Sequence, residues 1–169
     1  MRYAHFIDVL RADHEVRLAL VRRESDARER PSPGDVDVTL SSRQVGANVA
    51  RRALSMVPAQ FSGFDDRGAR AALRAAAGNA DAFVALGARA GLYRDAFEGP
   101  AVLDLQDSLV LNARAQWRGG RGVLRRLYGA DNLLKAGAFE RSLVERYDLV
   151  LVAGRADHGW VRERHPRVR

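Results

Sequence analysis

Ala101-Val-Leu-Asp-Leu-Gln-Asp-Ser-Leu109 and Tyr147-Asp-Leu-Val-Leu-Val-Ala153 each carry a short apolar run that suits a buried strand. The first run, Ala101 to Leu105, leads into the acidic residues Asp104 and Asp107. The second, Leu149 to Val152, is introduced by a helix and by the pair Tyr147-Asp148. A helical stretch lies between them. Strands separated by helices are the pattern of a parallel α/β sheet, and ligands of such sheets gather at the carboxyl ends of the strands.

The same alternation extends in both directions. Tyr3, Phe6, Ile7 and Leu10 recur at spacings of three and four, so residues 2–12 read as a helix with one apolar face. Residues 15–21 alternate and then become continuously apolar, as a strand entering a core does. Residues 22–34 are charged, end in Pro31-Ser-Pro-Gly34 and read as a surface loop. Val36-Asp-Val-Thr-Leu40 is a short strand, and Ser41 or Ser42 caps the helix over 43–56, which Pro58 stops. Residues 60–66 read as a loop, 66–77 as a helix, 81–86 as a strand and 88–97 as a short helix. Residues 117–122, with Gly119, Gly120 and Gly122, read as a flexible connection. A helix over 123–146 follows, at a cost of about 1 kcal/mol for each of Gly129 and Gly137. The last helix covers 156–164. The predicted fold is one Rossmann-like parallel sheet with helices on both faces, a single domain over residues 1–169.

Composition narrows the function classes. The chain has 169 residues, which fits one domain with a sizeable core. No apolar run approaches the ~20 residues of a membrane span, and the amino terminus lacks the apolar core of a signal peptide. Cysteine is absent, so disulfides and thiolate metal sites are excluded; the expected location is the cytoplasm. The net charge is +7, which admits nucleic acid, anionic lipid or a phosphorylated ligand. Lys135 is the only lysine, and the arginines are spread along the chain instead of forming one block. Solvated helix faces explain them better than a nucleic-acid groove does.

Three segments, in order, resemble one family. Residues 2–18, Arg2-Tyr-Ala-His-Phe-Ile-Asp-Val-Leu-Arg-Ala-Asp-His-Glu-Val-Arg-Leu18, are similar to R-x-x-H-L-L-x-x-L-x-x-x-H-E-V-x-L. Residues 101–111 are similar to V-L-D-L-x-D-S-L-S-L. Residues 139–156 are similar to E-R-x-L-x-x-x-F-D-x-V-L-V-V-S-x-x-D. These patterns belong to the amino-terminal half of family-4-like glycosyltransferases of the GT-B architecture, two facing Rossmann-like domains. The resemblance implies a retaining, hexosyltransferase-type enzyme that moves a sugar from a nucleotide-sugar donor to a sugar or lipid acceptor. It implies no metal and no cofactor beyond that donor, which the other domain holds. It also implies peripheral contact with the inner face of a membrane and no specific nucleic acid. On this reading the family's first strand, its glycine-rich loop and its donor domain lie outside the chain, and the fragment does not turn over alone.

The resemblance assigns Asp107 as the catalytic candidate, contacting or deprotonating an acceptor hydroxyl. It assigns Asp104, Gln106 and Ser108 to acceptor binding. Many members carry histidine at the position of Gln106, and glutamine cannot act as a base. Gly154 stands where the family usually has serine. Each candidate has a plainer role: Asp104 a structural hydrogen bond, and Asp107 or Ser108 a helix cap. His5, His14, His158 and His165 lack metal-ligand spacing and read as surface or boundary residues. Gly119-Gly-Arg-Gly122 lacks the lysine and hydroxyl of a phosphate loop. Arg125, Arg126, Arg141 and Arg146 read as a solvated face paired with Glu140 and Glu145, with lipid head groups as the other reading. Trp117, Tyr128 and Trp160 read as packing residues. A stand-alone basic α/β module for nucleic acid or an anionic partner is the alternative function.

Overall fold

A computed structural model describes residues 2–26, 35–119 and 122–165. The fold is α/β, with parallel strands joined by helices. In chain order the elements are α1 (Arg2–Asp13), β1 (Ala19–Arg23), β2 (Val36–Leu40), α2 (Ser42–Arg52), α3 (Ala59–Ser62), α4 (Arg67–Ala76), β3 (Phe83–Leu86), α5 (Ala88–Gly91), β4 (Ala101–Gln106), α6 (Leu109–Gly119), α7 (Val123–Arg146), β5 (Leu149–Val152) and α8 (Arg155–Arg164). Among the described residues the strands form two parallel ladders, β1-β2 and β3-β4-β5, where the sequence predicts one sheet. Both strands of the first ladder are edges, as are β3 and β5 of the second, and no ladder joins the two among the described residues.

Local chemistry explains most boundaries. Ser41 is the cap of α2: its hydroxyl accepts from the Gln44 N–H at 3.3 Å, and Gln44 Oε1 accepts from the Ser41 N–H at 2.9 Å. This reciprocal box satisfies two backbone donors. Asp66 caps α4 by accepting from Ala69 N–H at 3.0 Å. Tyr3, Phe6, Ile7 and Leu10 form the half-buried face of α1.

Several elements depart from the sequence prediction. The first strand forms over Ala19–Arg23 instead of 15–21, because its only ladder partner is β2 and the pairing runs from Ala19↔Val36 to Arg23↔Leu40. Residues 60–66 are no simple loop. Pro58 leads into α3, and Phe61 and Phe64 are buried. Helix α6 runs through Trp117 to Gly119, so only Gly120 and Arg121 of the expected flexible connection fall outside the described residues. The segment 88–97 splits into α5 and a 3-10 turn at Arg94–Ala96. The expected loops over 27–34 and 166–169 lie outside the described residues, as does the side chain of Arg125.

The largest correction concerns Glu140. It is 1% exposed, not part of a solvated face. Its Oε2 accepts from Ser108 Oγ at 2.8 Å, Leu109 N–H at 2.6 Å and Val110 N–H at 3.3 Å. One buried carboxylate on α7 thus takes up the orphan donors at the start of α6, where the helix dipole also favours a negative charge. Helix α7 serves α3 in the same way, since Asp131 Oδ2 accepts from Ala59 N–H at 3.0 Å. The core around these contacts joins Phe61, Leu103, Leu105, Phe139 and Leu143. At Gly91 an added Cβ would stand 3.1 Å from Leu143 and 3.2 Å from Leu103, so the helix α5 lies close against both α7 and β4.

Removing the Glu140 carboxylate strands three donors in the interior. Glu140→Ala is expected to lower unfolding stability by about 3 kcal/mol, and Glu140→Gln by less because one acceptor remains. Urea unfolding measures both. Full stability in Glu140→Ala would show that the carboxylate does not hold α6.

Candidate functional site

A cleft of about 370 Å³ opens at the carboxyl ends of β3 and β4. It is bounded by the starts of α5 and α6, by Gln60 and Phe61 of α3, and by Tyr3 of α1. This is the position at which parallel α/β sheets bind ligands. Its polar groups are Tyr3, Gln60, Arg89, Gln106, Asp107, Asn112 and Gln116. Three glutamines, one asparagine and one carboxylate give the wall many acceptors and neutral donors.

The backbone at this end is held in uncommon conformations. Gln106 has φ +66°, and the Asp107 N–H donates to Leu105 O at 2.9 Å across it. That three-residue turn follows a register shift between Asp104 and Gln106 in the pairing with β5. A non-glycine residue at positive φ costs on the order of 1 kcal/mol, and such residues cluster at ligand sites. The turn carries Asp107 out of the sheet and leaves it exposed. Its carboxylate has no hydrogen-bond partner among the described residues. Gly87, at φ +89°, makes the matching turn at the end of β3, and its N–H donates to Asp104 O at 2.8 Å. A Cβ there would lie 3.1 Å from the Tyr3 hydroxyl.

The four sequence-predicted residues therefore separate. Gln106 and Asp107 line the cleft. Asp104 is buried in β4 and does not line it. Ser108 is fully buried; besides its bond to Glu140 its N–H donates to Asp157 Oδ1 at 2.8 Å, and its Oγ accepts from Leu111 N–H at 3.3 Å. Ser108 caps α6 and does not line the cleft. Gln60, Arg89, Asn112 and Gln116 were not identifiable from sequence, because they come from separate helices and share no spacing. Gly154 has a local reason: a Cβ there would sit 2.6 Å from Asp157 Oδ2, in a carboxylate already fixed to Ser108.

Of the four histidines read as surface or boundary residues, His165 is buried. Burial disfavours its charged form and moves its pKa below the usual histidine value, with Arg141 and Arg164 acting in the same sense and Glu140 and Glu145 against it. Tyr93, buried with its hydroxyl donating to Phe64 O, is pushed up to about 12, chiefly by burial. For Asp66 burial acts upward, but the hydrogen bonds from Ala69, Asn48 and Gly68 outweigh it, and the carboxyl stays below its ordinary value.

No protein-family model, curated protein or solved structure matches this chain. Among the described residues no group of three or more His, Asp or Glu side chains is placed to hold a metal. Among the described residues no helix is long and apolar enough to cross a membrane.

Two outcomes follow. Gln106→Gly relieves the positive φ and is expected to leave stability within about 0.5 kcal/mol, whereas the β-branched Gln106→Val should cost about 1–2 kcal/mol. Equal effects of the two changes would remove the strain argument. A depressed histidine pKa favours the folded state fully above the unfolded value of 6.5 and loses that contribution as pH falls through the folded pKa. Stability measured from pH 7.5 down to 5 should therefore fall, and the fall should be shallower in His165→Asn.

Proposed function

We propose that this chain is the acceptor-side domain of a family-4-like GT-B glycosyltransferase and that the cleft at the ends of β3 and β4 binds the acceptor sugar. The supporting observation is the lining itself. Amide groups from Gln60, Gln106, Asn112 and Gln116, with the unpartnered Asp107 carboxylate, face a cavity bordered by Tyr3 and Phe61. Sugars present vicinal hydroxyls, each both donor and acceptor, together with apolar ring faces. Amides and carboxylates satisfy the first and aromatic rings the second. The three sequence resemblances lead to the same reading, and two of them border the cleft.

In this reading Asp107 accepts a hydrogen bond from the reacting acceptor hydroxyl and orients its oxygen. A charge-assisted bond of this type is stronger than a neutral one. Gln106 cannot take a proton, so it serves as a hydrogen-bonding wall. The nucleotide-sugar donor would be held mainly by a second domain, and the isolated chain is expected to be inactive. Binding, not turnover, is therefore the direct test.

Titration of the chain with methyl glycosides, followed by amide chemical shifts, should give saturable changes confined to Gln60, Leu86–Arg89, Gln106–Asp107 and Asn112. Asp107→Ala should weaken the binding by about tenfold without altering the unfolding midpoint. Shifts scattered over the surface, or an unaffected Asp107→Ala variant, would count against a sugar site here.

A further inference from the structure

A second hollow, of about 320 Å³, is lined by Arg51, Arg52, Asp65, Arg67 and Arg70. None of these residues lines the first cleft. Four guanidinium groups surround a single carboxylate, both of whose oxygens are paired. Asp65 Oδ1 is paired with Arg70 at 2.7 Å and Oδ2 is paired with Arg52, and its side chain is 5% exposed. Asp65 neutralises part of the positive charge and makes no ion pair with Arg51 or Arg67 among the described residues.

The remaining groups are not matched by acid. Arg51 donates to neutral acceptors, Asn48 Oδ1 at 3.2 Å and the Asp65 carbonyl. Asp66 is close enough to feel Arg51, but its two oxygens accept from Ala69 N–H and Asn48 Nδ2. Arg67 is exposed and has no ion-pair or hydrogen-bond partner among the described residues. Arg52 Nε is buried without a hydrogen-bond partner. Arg70 is held on both sides, by Asp65 and Asp95, which fixes one wall of the hollow without requiring a ligand. The hollow thus presents fixed positive charge and spare N–H donors in a concave site.

We propose that this hollow is a binding site for a phosphate dianion or a phosphomonoester, with Arg51, Arg52 and Arg67 as its ligands. Guanidinium forks match tetrahedral phosphate oxygens in geometry, and the attraction strengthens where water is partly excluded. The volume leaves room for the organic part of an ester beside the phosphate. A concave pocket of this kind suits a single small anion, whereas a nucleic-acid strand needs charge spread along a groove. The proposal does not depend on the sugar-binding reading, since it uses different residues, on α2, on α4 and just before α4, none of which lines the cleft.

Isothermal titration of the full chain with inorganic phosphate, and separately with glycerol 3-phosphate, tests it, with ionic strength held constant by chloride. One saturable site is expected; tighter binding of either probe identifies the free ion or the ester. Arg67→Ala should weaken binding about tenfold and Arg67→Glu should abolish it. Arg67 is exposed and unpaired, so both variants keep the fold, whereas Arg51→Ala also loses the bond to Asp65 and needs its unfolding midpoint checked. Arg126→Ala, an exposed arginine on α7, serves as the control and should change nothing. Absence of saturation, an equal loss in the Arg126 control, or an oligonucleotide that binds without competition from phosphate would overturn the proposal.

Discussion

The bond between Glu140 and the start of α6 is the constraint on which the cleft depends. A buried carboxylate is costly to desolvate and becomes tolerable only when hydrogen bonds surround it. Here the donors are the orphan N–H groups of a helix and the hydroxyl of Ser108, so two costs offset each other. The arrangement fixes α6 at a defined height against α7. Asp131 fixes α3 against the same helix. Both walls of the cleft, Gln60 and Phe61 on one side and Asn112 and Gln116 on the other, are therefore referred to a single rigid element. Ser108 lies between, tied on its other side to Asp157 at the start of α8.

Much of this was legible in the sequence where the signal is local. The apolar patterns match the full lengths of β2, α7 and β5, and the serine pair before α2 contains its cap, Ser41. Signals that depend on distant partners were not legible. Glu140 looked like one half of a solvated pair with the arginines around it. Yet it occupies a core-facing place in the stripe Ala136, Leu143, Val144 and Tyr147, all of which are buried. A carboxylate inside an apolar repeat is the signal that was available. The extent of β1 follows its partner strand and not its own apolar pattern. Helix α6 was obscured because its apolar start continues the strand before it, with only the turn at Gln106 between them.

The candidate residues divide for a similar reason. A strand end followed by a helix start contains both ligand-facing and load-carrying positions within five residues, and residue type does not separate them. Asp104 and Ser108 face inward and Gln106 and Asp107 outward because one residue at positive φ reverses the direction of the chain between them. The abundant arginines divide as well. Arg22 pairs with Asp37, Arg94 donates to carbonyls of Phe97, Gly99 and Arg146, and Arg70 joins Asp65 to Asp95. Part of the basic charge is thus engaged in structural contacts, and four arginines gather beside Asp65.

The separation of the two ladders carries a consequence for how the molecule opens. Among the described residues β1 and β2 have only each other as ladder partners, and the pair joins the core chiefly through Leu40, with Val21 and Val38 packed against it. The β3-β4-β5 ladder is bound to α5, α6 and α7 by the core. Amide protons of the first pair should therefore exchange through small local openings, and those of β4 only when the whole domain unfolds. The cleft belongs to the slow-exchanging body, apart from Tyr3. That residue rides on α1, so one border of the cleft comes from outside the β3-β4-β5 body.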